Sequence, residues 1–148
     1  LIPKDGNALK PVSLSSLEEI LTNLSLLSVL QNINSITFIL DIKYINPSDI
    51  TDGYRYPELS DKISLLLACT PGENSVENDD MKHSVFSYFL FKGLNGEAMG
   101  TDSKIELGEL AEYLYRKIPE LSTSEDNENI QHPEFIGSDL KRILLDLR

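Results

Sequence analysis

The chain has 148 residues, 41% of them hydrophobic, with 13 Lys and Arg against 24 Asp and Glu and a formal net charge of -11. That length holds one domain, residues 1–148, with a core of its own. The acidic balance argues against a nucleic-acid or anionic-membrane surface, which needs clustered Lys and Arg, and leaves proteins or basic peptides as the expected partners, with homo- and hetero-oligomers both open.

Residues 1–12 carry two prolines and a glycine and read as an entry loop. Ser15-Ser16-Leu17-Glu18 then offers a capping box, and Leu17, Ile20, Leu21, Leu24 and Leu27 recur at helical spacing, predicting a helix with one core-facing stripe. Ser35 to Ile42 is a nearly continuous apolar run bounded by asparagines and Asn46-Pro47, predicting a strand buried on both faces. Residues 44–61 read mostly as loop. Lys62 to Cys69 predicts a second buried strand, stopped by Thr70-Pro71-Gly72, and Glu73 to Asp80 reads as an acidic solvated loop.

Val85, Tyr88, Phe89 and Phe91 form a helical set closed by Gly93 and Gly96. Ile105, Leu107, Leu110, Ala111, Leu114 and Ile118 predict another helix that stops before Pro119. Ser122 to Asn129 is polar. Glu134 to Gly137 reads as a short strand, and Ser138 to Leu147 is amphipathic without a firm assignment. Strands separated by loops and accompanied by helices predict an α/β fold with a mainly parallel sheet flanked by helices.

One cysteine cannot form an internal disulfide, so a reducing, cytoplasmic setting is the default. No apolar run reaches the roughly 18 residues of a membrane span, and Leu1 opens no signal-peptide core. A first residue other than Met is what an excised or processed piece of a longer protein would have. Two distant histidines and one cysteine have no zinc-ligand spacing. Thr101 to Glu109 has the look of the end of a calcium loop, but Ala98 and Gly100 occupy its first ligand positions. No metal and no cofactor is expected.

Five ordered landmarks carry a resemblance. They are Ala68-Cys69-Thr70-Pro71-Gly72-Glu73-Asn74-Ser75-Val76-Glu77, His83-Ser84-Val85-Phe86-Ser87, Gly93-Leu94-Asn95-Gly96-Glu97-Ala98, Glu109-Leu110 and Gln131-His132-Pro133. In this order they resemble the small-subunit half of caspase and metacaspase-like cysteine peptidases, bacterial members in particular, and Leu1-Ile2-Pro3-Lys4-Asp5 resembles the segment after that family's catalytic histidine. The resemblance implies a caspase-like fold, of which this chain is the C-terminal part. It aligns Leu40-Asp41-Ile42-Lys43 with the end of the nucleophile strand and places Lys43 where the catalytic cysteine belongs.

That alignment removes the thiolate on which the peptidase reaction depends. Lys43 is a poor replacement, because a lysine amine is mostly protonated at neutral pH and an acyl group captured on it would be a stable amide. The reading is therefore of a pseudoprotease, a scaffold, regulator or interaction partner without catalytic residues. The alternative is part of an active endopeptidase cleaving after basic residues, for which Cys69 is the sole thiol. Asp41 matches the residue that in the family lines a pocket for Arg or Lys. In an extended strand Asp41 and Lys43 point to one side, so Lys43 either pairs with Asp41 in cis or leaves that pocket for a basic peptide. Cys69 and His83 read as structural, and His132 as a loop residue.

Overall fold

A computed structural model describes residues 19–23, 26, 33–42, 56, 59–122 and 130–148. Its central element is strand β2 (Ile63–Leu67), all five residues of which are buried. β2 pairs in parallel with β1 (Ile36–Leu40), from Ile36 opposite Ile63 to Leu40 opposite Leu67. On its other side it pairs antiparallel with β6 (Glu134–Ile136), Leu66 facing Phe135. Among the described residues the sheet is thus mixed, with one parallel and one antiparallel pair where a mainly parallel sheet is expected.

Alternation along β2 builds two cores from one strand. Ile63, Leu65 and Leu67 pack with Leu21 and with the β1 side chains Ile36, Phe38 and Leu40. Leu66 points the opposite way, into a larger cluster with Val85, Phe86, Leu110, Ala111, Leu114 and Ile118. Residues 19–23 and 26 are helical, and Leu21 among them is 1% exposed whereas Ile20 is 49% exposed. Ile20 therefore leaves the predicted stripe, while Leu17, Leu24 and Leu27 lie outside the described residues. β1 also departs from the expectation of two buried faces, since all its residues are only half-buried. In the described sheet it is an edge strand, whereas β2 is covered on both sides.

The acidic segment after β2 is not simply loop. It forms a hairpin of β3 (Glu77–Asn78) and β4 (His83–Ser84). Helix α1 (Val85–Lys92) follows directly, capped by Ser84, whose hydroxyl accepts the Ser87 N–H. This is the usual chemistry of an N-cap serine. The predicted glycine ending appears as a π-turn over Gly93–Glu97, with Gly96 at φ 113°. Glu97 fastens that turn, accepting Tyr113 Oη at 2.6 Å and pairing with Lys92 Nζ at 3.1 Å.

Ile105 sits in β5 (Lys104–Glu106), which pairs with β7 (Ile143–Asp146), and so does not belong to the following helix. That helix, α2 (Leu107–Ser122), runs through Pro119 instead of stopping before it. Its last turn is held from outside: Ile118 and Ser122 are buried, and the Ser122 hydroxyl accepts the Gln131 N–H at 2.9 Å. Burial and this tether offset the backbone bond that proline cannot make.

Two polar side chains, one buried and one half-buried, tie the layers together. Gln131, 0% exposed, donates from Nε2 to Ala68 O at 2.7 Å and accepts the Val76 N–H on Oε1 at 2.9 Å. Arg142 donates from Nη1 to Thr37 Oγ1 at 2.5 Å and from Nε to Asp139 Oδ2 at 3.1 Å, joining the segment before β7 to β1. Gln131→Ala strands the Val76 donor and the Ala68 acceptor inside the protein, so urea denaturation is expected to show a loss of about 2 to 4 kcal/mol.

Candidate functional site

Asp41 follows β1 directly, and alternation turns its side chain to the face opposite Leu40, toward α1. Three hydroxyls converge on its carboxylate. Ser75 Oγ donates to Oδ1 at 2.9 Å, Ser87 Oγ to Oδ2 at 2.6 Å, and Ser84 Oγ also to Oδ2. Ser84 thus accepts from the helix and donates to Asp41 with one oxygen. The first turn of α1 has no acidic residue of its own, and Asp41 supplies from another element the negative charge that a helix N-terminus favours.

Asp41 is exposed and borders a cavity of ≈ 580 Å³, whose lining includes Ser75, Glu77, Asp79, Lys82, His83 and Ser84. Among the described residues three carboxylates and one lysine line it, giving an acidic hollow open to solvent. Such a hollow can take a cation and hold it with charge-assisted hydrogen bonds. Ser84 and His83 both line the hollow, and the Ser84 hydroxyl is committed as a hydrogen-bond donor to Asp41. Lys43 lies outside the described residues.

Cys69 is fully buried. Its Sγ lies 3.5 Å from both Ile42 O and Glu73 O, as a weak donor to each. Burial, reinforced by Glu73 and Asp41, pushes its pKa up to about 12. At neutral pH it is a neutral thiol, the opposite of what a nucleophile needs. His132 is held by Glu73, its Nδ1 meeting Oε1 at 2.6 Å while its backbone N–H donates to Oε2 at 2.8 Å. His83 stands in β4, one residue before the cap, and its ring meets Phe91 edge-on at 5.9 Å.

In the calcium-loop look-alike, Glu109 Oε2 accepts the Glu106 N–H and Asp102 Oδ1 the Lys104 N–H, so both carboxylates serve the backbone. Among the described residues no group of three or more His, Cys, Asp or Glu is placed to hold a metal ion, and no helix is long and apolar enough to cross a membrane.

The sequence pointed to Asp41 but not to the serines around it. Ser84 carried a legible signal, a serine immediately before the apolar run of α1. Ser75 and Ser87 had none, because nothing local links either of them to a carboxylate 34 or 46 positions away. No model of a known protein family matches the chain, and no curated protein matches it.

Two outcomes follow from this chemistry. The Cys69 thiol is expected to stay unmodified by a thiol reagent at neutral pH in the folded protein and to react fully in guanidinium. Glu134 has a raised pKa, through burial and then Glu73, so the folded state binds its proton more tightly than the unfolded state. Stability from this group is full at low pH and falls as pH rises through its unfolded value toward its folded one. Glu134→Gln is therefore expected to melt higher than the parent at pH 7, the difference vanishing below about pH 4.

Proposed function

We propose that this chain is a caspase-like pseudoprotease domain that binds a partner protein by a Lys or Arg side chain and does not cleave it. The observation that carries the reading is the exposed Asp41 carboxylate, fixed by Ser75, Ser84 and Ser87 at the edge of a cavity also lined by Glu77 and Asp79. A carboxylate held in place by three hydroxyls needs little reorganisation to meet a guanidinium, and preorganisation of this kind improves affinity. The formal charge of -11 favours basic partners at longer range.

The family resemblance supports the same assignment, since Asp41 matches the residue that receives the basic side chain of peptidase substrates. A working peptidase would also need a thiolate beside this cavity. Cys69, the sole cysteine, is buried with its sulfur toward Ile42 O and Glu73 O and its pKa raised, which favours binding over cleavage.

Calorimetric titration with a short peptide carrying one Arg tests the reading, together with mass spectrometry of the peptide after prolonged incubation. Binding is expected to weaken with added salt and to drop by about tenfold or more in Asp41→Asn, the loss of one charge-assisted contact, with the peptide intact throughout. Equal affinity of parent and variant, or a cleaved peptide, would overturn it.

A further inference from the structure

Resting on that assignment of the Asp41 cavity, we propose that a second subsite beside it takes a large apolar or aromatic side chain, so that the domain recognises a paired signature in a partner segment. A hollow of ≈ 420 Å³ adjoins the first, lined by His83, Tyr88, Phe91, Lys92 and Asn95. His83 lines both hollows, which makes them neighbours on one surface. Phe91 is 57% exposed, a large apolar ring left in water.

Helix α1 explains the arrangement. Val85, Phe86 and Phe89 face the core, which leaves Ser84, Ser87 and Phe91 on the outward side at intervals of three and four residues. The N-terminal end of that face holds Asp41 and its C-terminal end presents Phe91. Among the described residues the one cation lining the aromatic hollow is already engaged, because Lys92 Nζ pairs with Glu97 and lies 5.2 Å from the centre of the Tyr88 ring. The second hollow therefore presents chiefly aromatic surface, next to an acidic one. A segment that fits both is a basic residue followed or preceded by a large apolar one.

Geometry sets the spacing. Along the axis of α1, Ser84 at the acidic hollow and Phe91 at the aromatic one stand about 10 Å apart. A polyproline-type segment places residues i and i+3 on the same side about 9 Å apart, whereas a β-strand places same-side residues about 7 or 13 Å apart. The matching ligand is an extended, polyproline-like peptide with Arg or Lys and a Phe or Leu three positions away.

Fluorescence anisotropy with labelled peptides tests this, using one Arg and a Phe placed two, three or four positions from it in either direction, proline between them, and Ala replacing Phe as reference. The three-position peptide in one direction is expected to bind about tenfold tighter than its Ala reference, and Phe91→Ala, checked for an unchanged melt, is expected to erase that difference. Arg-dependent binding with no preference for Phe, or an equal gain at every spacing, would overturn the second subsite while leaving the Asp41 assignment standing. Failure of every Arg peptide to bind would overturn both.

Discussion

A single buried amide, the side chain of Gln131, fixes the relation between the sheet and the wall of the cavity. Its nitrogen holds Ala68 at the exit of β2 and its oxygen holds Val76, between Ser75 and Glu77. Its own backbone N–H is held by Ser122 at the end of α2. One residue thus serves three segments, two through its side-chain amide and one through its backbone N–H, and in a buried interior each bond resists displacement. The segment that brings Ser75 to Asp41 is thereby anchored to the core rather than left as surface loop.

The hairpin and α1 extend the same logic outward. β3 and β4 have two residues each, too few to be stable alone, and they are secured at both ends, by Val76 on Gln131 and by Ser84 on Asp41. Asp41 therefore combines two roles. It completes the electrostatics of a helix N-terminus and it remains exposed at the edge of an acidic hollow. A residue that packs a fold together from a solvent-facing position is a natural place for ligand contact, because its orientation is already determined before anything binds.

Legibility in the sequence followed how local the controlling physics was. Lys62 to Cys69 announced β2 because an uninterrupted apolar run bounded by turn residues has few other solutions, and β2 is buried along its whole length. Ser35 to Ile42 had the same look, yet β1 is only half-buried, since sheet order is decided by distant partners. Pro119 was a sound local reason to stop a helix, overridden by Ser122 and Gln131 from outside it. Asp41 was found through resemblance and strand alternation. Its serines, spread over three segments, become a group only in three dimensions, and Lys43, central to the sequence argument, lies outside the described residues.

The tie between Arg142 and Thr37 spans 105 positions, and that separation bears on the timing of folding. Contacts so remote close large loops before they return any stabilisation, which slows folding relative to chains dominated by local contacts. During synthesis β1 emerges early but cannot be secured at Thr37 until residue 142 has left the ribosome. At roughly 5 to 20 residues per second that leaves the strand waiting for several seconds or more, an interval in which a mostly apolar strand is open to chaperones.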